Sequence, residues 1–293
     1  MARPPGWASG AYALLATAVL CVSVGSIFIR FAAAPPLAVA FYRITLATLV
    51  IAPFASGSAV RAWPVLSSRR RLAVVASGIA LGVHFATWIA SLSFTSVAVS
   101  VLLVNTAPLF TLAFSRLVLR EAVASAVMVA MAVALAGVTL IAAADWSGSA
   151  SSLFGSGLAV AGALTLSAYH VIGRGLRDAL PLPAYVLCVW AVAAATLAVL
   201  VAVSGVAVTG YSGRTYGWLL ALALIPTVAG HGLVNRSLRS FPAPTVGLVL
   251  LGEPVAAAAL AYTFLGERIG PATLAGGALV VAALAIVVRS EAT

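Results

Sequence analysis

The sequence contains no lysine, only six acidic residues, two cysteines and three histidines among 293 residues. Each scarcity excludes something. With 8% charged and 63% apolar residues, the chain has too little polar surface to cover a water-soluble globule of its size. Cys21 and Cys188 lie inside apolar runs, where a single thiol behaves as a small hydrophobe, and two such positions make neither a disulfide framework nor a metal site. There is no HExxH, no pair of intramembrane aspartates and no acidic metal cluster, so a membrane enzyme lacks its reactive groups. Without a Walker A loop, ATP is not the expected energy source. No cofactor and no metal are expected. The polar residues within apolar runs are too sparse to line a channel.

What the chain does have is apolar length. Its mean hydropathy is +1.16, and a helix needs about 20 apolar residues to cross a bilayer. Ten candidate spans fall at 8–29, 35–54, 72–93, 96–115, 121–142, 153–173, 183–204, 216–236, 243–263 and 270–288. The first follows Arg3 and lacks a small-x-small cleavage site, so it is read as a span and not as a signal peptide. Short Pro-, Gly- and Ser-rich segments separate the spans, among them Ala34-Pro35-Pro36, Asp145-Trp146-Ser147-Gly148-Ser149 and Pro181-Leu182-Pro183. The fold class is all-α integral membrane.

All sixteen basic residues are arginines. With a cytoplasmic N-terminus, Arg3, Arg61, Arg69, Arg70, Arg71, Arg116, Arg120, Arg174, Arg177, Arg236, Arg239 and Arg289 all fall on the cytoplasmic side, and only Arg30, Arg214 and Arg268 near the other face. Arginine-rich loops resist translocation, so both termini are expected inside a bacterial inner membrane. Spread over short loops, the net charge of +10 does not form a nucleic-acid surface.

A constant shift of 146 residues relates two stretches of the chain. Ser91, Leu92, Leu102, Pro108, Leu119 and Glu121 fall on Ser237, Leu238, Leu248, Pro254, Leu265 and Glu267 without a gap. The chain reads as a duplication of a five-helix unit, 1–145 and 146–293. Because five is odd, the second copy enters the membrane inverted, as in alternating-access carriers.

The chain resembles the ten-helix EamA-type exporters of the drug/metabolite transporter superfamily. The resemblance rests on Gly25-Ser26-Ile27-Phe28 in the first span, Arg43 in the second, Thr95-Ser96 and Pro108 in the fourth, and Glu253-Pro254 and Leu265-Gly266-Glu267-Arg268 in the second half. The first copy departs from it with Leu119-Arg120-Glu121 where the family often has Leu-Gly-Glu. The resemblance implies a secondary transporter working between two inverted repeats, acting as a monomer on a small molecule.

Polar groups stranded at membrane depth mark the candidate site. Glu253, directly before Pro254, reads either as a proton- or substrate-sensing carboxylate or as an acceptor stapling the ninth span to a neighbour. His84, Trp88 and Ser91 share one face of the third span, and Thr227, His231 and Asn235 follow helical spacing in the eighth. His84 falls on Gly230 in the repeat frame, beside His231. Ser23, Ser26 and Arg30 recur at an offset of 144 as Ser167, His170 and Arg174. The arginines of those two sets read as end anchors. Ser26, Tyr169 and His170 lie deeper, and Asn105, just before Thr106-Ala107-Pro108, completes a ring.

The expected substrate-binding set is therefore Ser26, His84, Trp88, Asn105, Tyr169, His170, His231 and Asn235. Glu253, Arg43, Pro108, Pro226 and Pro254 are assigned to coupling or gating. Arg43 has the alternative role of bonding helix-end carbonyls. Glu121 and Glu267 are placed at the starts of the fifth and tenth spans, favoured by the helix dipole. Flat faces from Trp88 and Tyr169, neutral donors and a single carboxylate suit a small apolar or zwitterionic metabolite and disfavour phosphorylated ones. Amino-acid export is the expected activity, with the YddG-type aromatic amino acid exporters closest in pocket character. A multidrug or other small-metabolite carrier is the alternative. Gly276-Gly277 is expected to make a close helix contact within the molecule.

Overall fold

The computed structural model describes residues 6–119, 125–144, 149–176, 179–237, 250 and 252–291. Among these the regular structure is entirely helical: α1 (Gly6–Ser23), α2 (Gly25–Ala32), α3 (Pro36–Ala62), α4 (Ser68–Ser91), α5 (Val97–Val104), α6 (Ala107–Leu119), α7 (Ser125–Ala144), α8 (Ala150–Leu176), α9 (Leu182–Ser204), α10 (Gly213–Leu222), a π-helical stretch (Ala223–His231), α11 (Gly232–Ser237), α12 (Gly252–Leu265) and α13 (Pro271–Glu291). Among the described residues six rods are long and apolar enough to cross a membrane: Ala13–Ala32, Pro36–Ala62, Ser68–Ser91, Ala150–Leu176, Leu182–Ser204 and Gly213–Val234. Val97–Thr111, Met128–Ile141 and Pro271–Ala283 are shorter apolar helices.

One helix start repeats at the sequence offset: Pro36 opens α3 and Leu182 opens α9. The packing repeats as well. α4 lies on α8, and its counterpart, the rod from α10 to α11, lies on α1 and α2. The pairs α3–α9 and α7–α13 each join a helix to its own counterpart. Exchanging the halves thus reproduces the packing, as a two-fold relation requires.

Starts and stops follow from short-range chemistry that uses little charge. Pro36 and Pro183 sit in the first turns of α3 and α9, where a missing N–H costs nothing. Ser67, Ser96 and Ser212 cap α4, α5 and α10, their Oγ atoms accepting from Arg70 N, Val99 N and Thr215 N at 3.4, 3.2 and 3.2 Å. Gly266 ends α12 at φ 68°, a left-handed conformation that explains the glycine of Leu265-Gly266-Glu267. Its counterpart Arg120 lies outside the described residues, as does Glu121.

Three spans expected to be continuous are broken. The first is interrupted at Val24 between α1 and α2, and the fourth at Asn105 and Thr106 between α5 and α6. In the eighth, Pro226 has no N–H to donate, and the chain widens into nine π-helical residues in which Thr227 Oγ1 donates to Leu222 O, five residues back, at 2.9 Å. The α-helical spacing assumed for Thr227, His231 and Asn235 does not hold there. Pro226 packs where α2 begins: a Cβ on Gly25 would stand 3.4 Å from Pro226 Cβ, so the two irregular segments meet. Pro108 does not kink a continuous helix as expected. It occupies the first turn of α6, where it starts a helix without breaking its ladder. Pro254 is the third residue of α12, and residue 251 before that helix lies outside the described residues.

Glu267 also differs from expectation. It precedes α13 by four residues and caps another helix: Oε2 accepts from Val97 N, at the start of α5, at 2.8 Å, and Oε1 pairs with Arg30 Nη2 at 3.4 Å. Arg30 Nη2 donates in addition to Thr95 O at 2.9 Å. Arg30 is therefore an inter-repeat clasp and not a free end anchor. Glu267→Ala is expected to lower stability by about 1–2 kcal/mol, the usual cost of losing a cap plus a partly exposed ion pair. Thermal unfolding measures this, and an unchanged melting temperature would show that the clasp carries no stability.

Candidate functional site

Arg43 holds the centre. It lies on the buried face of α3 and is 2% exposed. Its Nε donates to Thr227 Oγ1 at 2.9 Å, which ties α3 to the π-helical stretch. Its guanidinium carbon sits 4.4 Å from the centre of the Phe85 ring and 5.4 Å from that of Trp88. Flat aromatic faces stabilise a buried cation that is short of hydrogen bonds. The expected role of Arg43 in bonding helix-end carbonyls is thus replaced by a hydroxyl and two rings.

The histidines gather around it. His84 Nδ1 lies 2.9 Å from Gly162 O of α8, and the ring stacks on Trp88 with centroids 5.9 Å apart at 11°. His84, His170 and His231 lie within electrostatic reach of one another, and both His84 and His231 feel the Arg43 charge. All three histidines of the sequence therefore converge from α4, α8 and the end of the π-helical stretch. His84 is 5% exposed and fixed to α8, whereas His231 is half-buried and His170 is exposed. Three residues before His170 on the same face, Ser167 Oγ donates to Ala107 O of α6 at 2.6 Å, so that face of α8 looks inward.

Glu253 closes the ring from the other repeat. Half-buried on α12, it lies near the Asn105 side chain and within electrostatic reach of Arg43. Asn105 also donates from Nδ2 to Val101 O at 2.9 Å, which fixes it at the break between α5 and α6. Tyr169 stacks on Tyr185 with centroids 6.4 Å apart at 23°, and Tyr185 Oη lies 3.0 Å from Ser77 Oγ. Tyr169 is therefore linked to α4 through α9.

The remaining assignments are more local. Ser26 is buried, with Oγ 3.5 Å from Ser23 O. Ser91, grouped by sequence with His84 and Trp88, bonds Ser100 Oγ of α5 at 2.6 Å and is a packing contact. Asn235 lies on α11, and its side chain is outside the described residues. Phe85, Tyr185 and Ser77 belong to the network although sequence reasoning did not place them in the site, whereas Thr227, read in the sequence on the same stripe as His231, joins it through Arg43. No group of three or more His, Cys, Asp or Glu suited to hold a metal occurs among the described residues. A cleft of about 180 Å³ beside Arg30, lined by Ile29, Ile89, Leu92 and Ser93, is separate from this cluster.

Comparison with known proteins agrees with the two-fold organisation. A solved crystal structure matches the fold with a TM-score of 0.65 at 21% identity, over 95% of this chain and 96% of that one. No curated protein sequence matches the chain. The family model described as EamA-like transporter family matches twice, over residues 9–143 and 153–289, one copy for each half of the repeat. The chain belongs to the EamA-like transporter family, membrane transporters of small molecules.

Proposed function

We propose that the protein is an alternating-access exporter of amino acids with aromatic or apolar side chains, working as a monomer in a bacterial inner membrane. In this reading ten spans cross the bilayer, α1–α2, α5–α6 and α10–α11 each forming one, with both termini cytoplasmic. The five-span halves then enter with opposite orientation. The observation that carries the reading is a buried cation, Arg43, lying over the Phe85 and Trp88 rings within electrostatic reach of one carboxylate, Glu253, from the other repeat. A zwitterion with an apolar side chain offers a carboxylate, an ammonium and a hydrophobic body, and each has a complement here. Phosphorylated metabolites would call for several arginines, and Arg43 is the cation placed at this cluster.

The halves are expected to rock about the cluster. The interruptions at Val24, at Asn105-Thr106 and over Ala223–His231 give the rods places to bend. Labelled phenylalanine or leucine in proteoliposomes tests the reading. Counterflow that saturates and is competed by other apolar amino acids supports it. Failure of every amino acid to compete moves the assignment to drugs or other metabolites.

Glu253 is the candidate proton carrier. Glu253→Gln is expected to abolish acceleration of transport by a pH gradient and to preserve exchange at equal pH. Gradient-driven flux equal to wild type in Glu253→Gln would remove the carboxylate from coupling.

A further inference from the structure

Two hydrogen-bond donors in the cluster have no acceptor among the described residues. Arg43 Nη1 and Trp88 Nε1 are both buried and without an acceptor, on side chains that are 2% and 5% exposed. They belong to adjacent groups, the guanidinium carbon lying 5.4 Å from the Trp88 ring centre. Arg43 spends its Nε on Thr227 Oγ1, which in turn donates to Leu222 O, so the hydroxyl orients the fork and leaves Nη1 turned toward Gly25. A Cβ on Gly25 would stand 4.0 Å from Nη1, which places the free donor beside the start of α2.

Buried donors are nearly always satisfied, and two orphans on side chains in cation–π contact, one of them charged, form a recognisable deficit. What fills it must bring acceptors and no donors, carry negative charge and be flat enough to lie against the rings. A carboxylate group has that description. A phosphate has more charge than one guanidinium balances, and an ammonium would be repelled.

The geometry points to Arg43 Nη1 and Trp88 Nε1 as a carboxylate subsite, with Thr227 as the positioning residue that aims Arg43 into it. This rests on the transport reading for its setting and extends it by naming which end of the substrate binds where. Because both donors are covered in the present conformation, the carboxylate reaches them when the halves part, and the occluded state is the one in which they stay unpaired.

The test uses purified full-length protein in detergent and three probes sharing a phenyl ring: phenylacetate, phenylalanine and phenethylamine. Phenylacetate and phenylalanine are expected to raise the melting temperature, and phenethylamine, which has no carboxylate, is expected not to. Trp88→Phe keeps a ring under Arg43 and removes only the N–H, so its apparent affinity for phenylacetate should fall about tenfold, the effect of one hydrogen bond to a charged group. Thr227→Val should weaken phenylacetate by a similar factor, and Thr227→Ser should restore it. Equal stabilisation by phenethylamine, or undiminished phenylacetate binding in Trp88→Phe, overturns the subsite. The comparison of the three probes on wild-type protein decides the question even if a variant fails to fold.

The two readings fail differently. Amino-acid counterflow that persists while phenylacetate binding ignores Trp88 and Thr227 sinks the subsite alone. Absence of amino-acid counterflow with Trp88-dependent phenylacetate binding supports the subsite and sinks the amino-acid assignment.

Discussion

Arg43→Ala is expected to reduce counterflow by about tenfold or more, because a buried hydrogen bond made by a charged group contributes roughly 1.5–3 kcal/mol. Three contacts disappear together: the bond to Thr227, the stacking on Phe85 and Trp88, and the charge facing Glu253. Arg43→Lys keeps the charge but cannot bond Thr227 and lie flat over two rings at once, so it should recover only part of the flux. Size-exclusion profiles of the variants separate lost transport from lost folding. Counterflow within twofold of wild type in a folded Arg43→Ala protein would remove the arginine from the site.

Gly276→Val is expected to have the largest effect on stability. α7 and α13 cross with almost no space between them: a Cβ on Gly276 would stand 2.5 Å from Ile141 Cγ1 and 2.7 Å from Gly137 O. The carbonyl belongs to the helix backbone and cannot rotate away, so relief requires the whole seam to separate. Overpacking costs typically 1–3 kcal/mol where side chains can yield, and here the obstacle is main chain. Gly277→Val provides the internal control, because a Cβ there meets nothing nearer than Leu102 Cδ2 at 3.6 Å. A melting temperature lowered by several degrees for Gly276→Val, with Gly277→Val close to wild type, is the expected result. Equal behaviour of the two variants would mean that the crossing is looser than described.

The seam was legible in the sequence because small residues permit close approach of apolar helices, and Gly276-Gly277 stood out among alanines. It did not reveal which glycine carried the contact, since that depends on the rotation of one helix against another. The duplication was legible for a similar reason. An offset of 146 preserves both spacing and punctuation, so the helix starts at Pro36 and Leu182 and the pairings α3–α9 and α7–α13 repeat in three dimensions.

Long-range chemistry was harder to read. Glu267 sits near a helix start in sequence, yet its carboxylate serves Val97, 170 positions away, and its partner Arg30 comes from the opposite repeat. Helix-dipole reasoning finds a suitable end for a carboxylate but not which end is nearest in the fold. The π-helical stretch was likewise hidden, since Pro226 announces an interrupted ladder without saying whether the rod kinks or widens. Of the site residues, His84, His170, His231, Glu253 and Arg43 were singled out as polar groups at membrane depth, and the structure brings them together. That Arg43 and Trp88 are left with unused donors follows only from counting partners in space.

The central claim is that this cluster lies between two halves that open it to opposite sides of the membrane in turn. Site-directed accessibility tests it most directly. In a background with Cys21 and Cys188 replaced by alanine, His170→Cys and His231→Cys would be probed in oriented vesicles with a membrane-impermeant thiol reagent applied from either side, with and without phenylalanine. The account predicts that each cysteine is modified from both sides and that substrate shifts the balance between them. Modification from one side only, in all conditions and at both positions, would contradict it.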